Sequence, residues 1–225
     1  MATTTVNASK QTRARSGTQT SWSAARDATS SANHTDYTTT QTDVDTAIAE
    51  AFISGRGGGS YVIHRSFFFF DTSGISNTVS SATLKLRFGT TREGSANAIV
   101  VASTAFGGDG GTALVDGDFD ALDFGTTYTS EIDTSNTSTY TSITLNASAR
   151  ADMQNNDVLI IALINHAYDY NNEPPEDANT KVKVTFADQT NTSTDPVIEY
   201  TAAATTPFIG MKSGKYKIVA GKIKI

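Results

Sequence analysis

Cysteine is absent from these 225 residues, so no disulfide, thiolate metal site or cysteine nucleophile is available. Proline occurs four times, tryptophan once and histidine three times. No stretch approaches the roughly 18 apolar residues of a membrane-spanning helix. The opening decapeptide, Met1-Ala-Thr-Thr-Thr-Val-Asn-Ala-Ser-Lys10, holds no apolar run. It reads as the start of a chain without a signal peptide, made and kept intact in a cytoplasm. What abounds instead is Ser and Thr, together about a quarter of the residues, with 17 Gly. Thr suits a pleated, half-buried strand, whereas Ser and Gly suit tight turns. Composition therefore favours an all-β domain, and 225 residues suffice for one substantial core.

Charge is segregated along the chain. Residues 1–26 contain Lys10, Arg13, Arg15 and Arg26 and no acid, and residues 207–225 contain five lysines and no acid. All 23 acids lie between Asp27 and Glu199, and the net charge is −6. An acidic body with basic ends suits docking onto an acidic protein surface. Neither a nucleic-acid nor a membrane partner is expected.

Patterning divides the chain into three parts. Residues 1–19, polar and without period, are expected as a flexible arm. Residues 20–203 are expected as the folded body, and 204–225 as a basic docking tail. Within the body a first strand is expected over 20–27 and a loop over 28–42. Val44, Ile48, Ala51 and Phe52 have helical spacing and predict a short amphipathic helix. Strands are predicted at Tyr61–Phe70, Ala82–Phe88, Ala98–Ser103, Tyr140–Leu145, Val158–Ile164, Lys181–Phe186 and Asp195–Tyr200. Alternation places Leu84, Leu86 and Phe88 inward, with Lys85 and Arg87 outward. Four consecutive phenylalanines, Phe67 to Phe70, break alternation, which implies cover on both faces of that strand. Helical turns are expected at Asp118–Leu122 and Asn146–Met153.

The segments Arg65-Ser-Phe-Phe-Phe-Phe-Asp71, Val79-Ser-Ser-Ala-Thr-Leu-Lys-Leu86 and Asp195-Pro-Val-Ile-Glu-Tyr200 resemble the DNRLRE-type jelly roll. That family is related to a group of carbohydrate-binding modules. Asp169 between two tyrosines, followed by Pro174 and Pro175, resembles the family's penultimate loop. The resemblance spans about residues 20–203 and implies a jelly-roll β-sandwich with short helical turns. The Thr-rich start and Gly/Ser/Thr-rich body are also similar in style to virion structural proteins of tailed phages.

Candidate chemistry is sparse. His34, His64 and His166 have no serine elbow beside them, and no enzyme activity is expected. Asp116, Asp118, Asp120 and Asp123 could open a calcium loop, but helix capping is the favoured reading and no metal or cofactor is expected. Trp22, Tyr37, Tyr128, Tyr168 and Tyr170 are the candidates for stacking on a glycan. The tail carries the docking candidates: Phe208, Ile209, Lys215, Tyr216, Lys217, Ile218, Ile223 and Ile225, apolar residues alternating with lysines across Ala220-Gly221. The expected function is a non-enzymatic virion component, in the capsid decoration, tail or fibre. Its partners would be other virion proteins or copies of itself. The alternative is a module recognising a host-surface polysaccharide.

Overall fold

The computed structural model describes residues 3–36, 41–54, 58–93, 97–136, 138–175, 180–186 and 195–203; over 41–54, 58, 90–93 and 180–186 only the backbone is described. The fold is all-β: the described residues form twelve strands, every pairing among them antiparallel, and two short α-helices. The docking tail 207–225, with all eight of its candidate residues, lies outside the described residues.

Residues 3–15, expected as an arm, form strand β1 (Thr3–Arg15). Its first half, Thr3 to Asn7, pairs with β12 (Val197–Ala202). Its second half, Ala8 to Arg15, pairs with β4 (Gly58–Asp71), with a register shift between Ala8 and Lys10. One strand thereby passes from one sheet to the other, and the bulge provides the bend. Its buried residues are Ala8, Gln11, Thr12 and Ala14, small or polar, so no hydrophobic period marks it as a strand. Loop 28–42 contains β2 (Asn33–Asp36), which pairs with the end of β1.

Two further expectations fail in the same region. The stretch 20–27 is not a strand but helix α1 (Trp22–Arg26), whose cap Ser21 accepts from the Ala24 N–H. The amphipathic helix expected around Val44–Phe52 is strand β3 (Gln41–Ser54) instead. It pairs with β4 from Ile48↔His64 to Ser54↔Gly58, and with β11 (Thr180–Phe186) on its other side. Two ladders outweigh the weak helical spacing of four apolar residues, because strand preference is set by neighbours.

The remaining strands form where alternation placed them, with two additions. β5 (Val79–Leu86) buries Leu84 and Leu86 and leaves Lys85 half-exposed. β6 (Phe88–Glu93) follows it and pairs with β11. β7 (Ala98–Ser103) and β10 (Val158–Asn165) pair with each other, and β10 lies against β4. β8 (Leu122–Thr127), which no pattern predicted, pairs with β7. β9 (Thr141–Thr144) pairs with β5, and helix α2 (Ala147–Asn155) follows it.

Two apolar clusters explain the runs that break alternation. Phe68 and Phe70 pack with Leu84, Leu86, Leu159, Leu163 and Ile198, filling the space between the β12–β5–β9 sheet and the β4–β10–β7 sheet. Phe67 and Phe69 face the opposite way, with Trp22, Phe106, Phe119 and Ile160, beneath α1 and the segment 105–124. Both faces of β4 are covered, and a Phe side chain buried in this way contributes about 1.5–3 kcal/mol.

Candidate functional site

The basic residues of the N-terminal stretch are partly consumed inside the body. Lys10 Nζ donates to the carbonyls of Gly110 (2.5 Å) and Thr112 (2.6 Å), above the rings of Phe69 and Phe106. Arg26 lies 4.2 Å over the Phe124 ring and donates from Nε to the Asp169 carbonyl at 2.8 Å. These two cations hold loops to the sheet and do not reach for a partner.

Arg65 and Asp169, 104 residues apart, meet in a fully buried bidentate pair. Nε and Nη2 of Arg65 donate to the two carboxylate oxygens, each at 2.8 Å. Nη1 donates to the Phe119 carbonyl and Nη2 also to the Arg26 carbonyl, while Phe119 stacks 4.3 Å from the guanidinium. Asp169 is held there by a π-type turn over His166–Tyr170, whose first N–H groups include Tyr168 N–H donating to Asn165 Oδ1. Three segments converge on one guanidinium, and the fork geometry of Arg is what allows it. Closed off on every side, the pair is a brace and not a reactive centre.

The aspartates between 116 and 123 cap and tie the backbone. Asp118 Oδ2 accepts the N–H groups of Val115 and Phe106. Asp116 Oδ1 accepts from Ser31 Oγ and pairs with His34 Nδ1 at 2.9 Å. The His34 ring, then the Ser31 hydroxyl, hold the Asp116 carboxyl below the usual carboxylate range. Asp123 is lowered by the Thr126 hydroxyl and the Gly125 N–H. Of these bonds, that from Val115 N–H to Asp118 caps a helical turn, whereas those of Asp116 and Asp123 tie side chains and a turn.

The stacking candidates do not form a platform. Trp22 is buried against Tyr61 and donates from Nε1 to Asn172 Oδ1. Tyr128 is buried, Tyr168 and Tyr170 are half-buried against the outer cluster, and Tyr170 stacks on His166. Tyr37 lies outside the described residues. The three histidines are scattered: His34 on Asp116, His64 buried in β4, and His166 with Nδ1 3.5 Å from Glu131.

Two concavities lie among the described residues. The larger, about 600 Å³, opens where β7, β8, β10 and the end of α2 meet. Ala102, Leu122, Val158 and Ile160 supply its apolar floor, and Asp109, Asp120, Asp123 and Asp152 its walls, with no Lys or Arg among the described lining residues. Tyr128 donates to Asp152 Oδ2 at 2.6 Å; burial and then that carboxylate push its phenol well above the usual range. The cleft therefore offers acceptors and negative charge. The smaller concavity, about 310 Å³, is a groove between the edge strand β9 and the segment Thr129–Asp133. Sequence reading found neither: the cleft joins segments far apart in the chain, and the groove depends on how two nearby segments are held apart by their own partners β5 and β7.

No protein-family model matches the chain, and no curated protein matches it.

Proposed function

We propose that this protein is a non-enzymatic structural component of a phage virion: a jelly-roll body held in its assembly by the C-terminal segment 207–225. The observation that carries the reading is the disposition of charge. Lys10 and Arg26 are spent inside the body, whereas the cleft leaves four carboxylates without a cation among the described residues around it. The acid-free, five-lysine segment 207–225 is complementary in charge to the body, since all 23 acids lie between Asp27 and Glu199. The Arg65–Asp169 brace and the doubly covered β4 supply the rigidity that a building block needs. The N-terminus plays no docking part in this reading, since β1 is a strand shared by both sheets.

Mass spectrometry of purified particles should find the chain at a fixed copy number. Deleting residues 207–225 should leave a body that folds but does not incorporate. Normal incorporation of the truncated chain would end the reading.

The acidic cleft favours a second reading, recognition of a surface polysaccharide, because carboxylates accept hydrogen bonds from sugar hydroxyls and Leu122 and Val158 can meet a ring face. Binding to immobilised polysaccharides that Asp152→Asn abolishes would support it; indifference to that substitution would not.

A further inference from the structure

β9 is an outermost strand of its sheet, pairing only with β5 among the described residues. Leu145 N–H donates to the Ala82 carbonyl. In an antiparallel ladder, residues alternate between bonding to the neighbour and facing away. Thr141 and Ile143 therefore direct their backbone groups to β5, and Ser142 and Thr144 direct theirs outward. The next outward-facing residue, Asn146, already donates its N–H to the Tyr128 carbonyl, so the edge is closed at that end. Beyond it, the groove opens between β9 and Thr129–Asp133.

Ile132 exchanges both backbone hydrogen bonds with Ala98, so Glu131 and Asp133 face the groove from the other wall. The groove is thus flanked by the β9 edge on one side and by Thr129–Asp133, bridged to Ala98 through Ile132, on the other. Ile132 and Ile143 are buried at its base, and the Thr141 hydroxyl, which lines it, is buried without a hydrogen-bond partner. The rim is acidic: Glu131 carries a bond from Asn97 Nδ2 at 2.7 Å and lies 3.5 Å from His166, and Asp133 accepts from Ser135.

We infer that this groove receives the C-terminal segment, residues 207–225, of a second copy of the chain, added as a strand against β9. The inference rests on the tail-docking reading above and supplies its receiving surface. Strand addition gives affinity through backbone bonds and selectivity through alternate side chains. The runs Lys215-Tyr-Lys-Ile218 and Lys222-Ile-Lys-Ile225 alternate as this needs, offering an apolar residue to Ile132 and Ile143 and a lysine to Glu131 and Asp133. The occupant comes from a second copy for a reason of path. β12 delivers the chain to Ala203, which donates to the Thr78 carbonyl at the far end of β5. The groove lies beside the opposite half of β5, where Thr141 to Thr144 pair with Leu86 to Thr83.

The test uses the full chain, a chain lacking residues 207–225, Ser142→Pro and Glu131→Lys. Proline at 142 removes an outward N–H without touching the β5 ladder, so its melting temperature should stay within a few degrees of the parent. The full chain should self-associate in analytical ultracentrifugation. The truncated chain and Ser142→Pro should be monomeric with the parent's circular dichroism. A synthetic 207–225 peptide should bind the truncated body, and bind its Ser142→Pro version weaker by about tenfold or more. Glu131→Lys should weaken the peptide too, and that loss should shrink as salt screens the rim charge. Peptide binding that ignores both substitutions would overturn the groove while leaving tail docking intact. A peptide that does not bind the truncated body at all would overturn both. A monomeric full chain that loses stability on truncation would show docking within one copy and would overturn the second-copy inference.

Discussion

At the scale of single residues, the Arg65–Asp169 pair is the most constrained contact in the body. Taking two charges out of water costs several kcal/mol per ion, and the pair persists because every charged atom is met. Arg65 spreads its bonds over Asp169, Phe119 and Arg26, a pattern that one ammonium cannot reproduce. Asp169→Ala should therefore destabilise by about 3 kcal/mol or more, because it leaves the buried guanidinium without its partner; Arg65→Lys keeps the charge but loses the fork, and should cost about 1 kcal/mol or more. Urea denaturation checks this, and a loss below about 1 kcal/mol for Arg65→Lys would show that the fork is dispensable. Both residues stand in segments that resemble family motifs, yet nothing in their spacing says that they touch. By contrast, the facing of Leu84, Leu86 and Phe88 was plain from alternation, since one face of β5 meets the core and the other does not.

Among the elements, the glycine-rich loop at 107–111 shows how a turn can depend on a single missing atom. Gly110 has φ +76, and a Cβ there would lie 2.2 Å from the Phe69 ring. The Gly110 carbonyl also receives Lys10 Nζ. Gly110→Ala should thus combine a left-handed strain of about 1 kcal/mol with a clash against a buried ring. The expected melting temperature falls by several degrees, whereas Gly117→Ala, with open space around it, should change little. Equal melting temperatures for the two variants would show that the loop stands off the sheet. Elements with a strong signal of their own, β5 by its alternation and β10 by its continuous apolar run, were legible in the sequence. β1 and β3 were not: β1 is polar and draws its stability from strands on either side, and β3 has four apolar residues at helical intervals. α1 is a five-residue helix set by one serine cap, too short for a periodic signal.

For the molecule as a whole, two phenols tie stability to alkaline pH. Burial, then the neighbouring carboxylate, raise Tyr128 above its ordinary value, and Tyr140, donating to the Asp195 carbonyl, is pushed up to about 12. A group with a raised folded-state value contributes stability that is fully present below its unfolded value, here about 10, and is lost as pH rises above that. The melting temperature should therefore hold up to about pH 10 and fall beyond it. Phenolate absorbance should stay incomplete at about pH 11 until the chain unfolds, and Tyr140→Phe should remove part of the delayed signal. All eight tyrosines titrating together in the folded chain would contradict the burial of these two. Composition and alternation by themselves determined that the body is all-β, which strands form its centre, and that β4 is covered on both faces, because hydrophobic period reports local burial. Only the tertiary structure decided that the N-terminal stretch is a strand shared by two sheets, that Lys10 and Arg26 are spent internally, and where the acidic cleft and the edge strand β9 lie. Those features depend on pairings between residues as much as a hundred or more positions apart, and no local period encodes them.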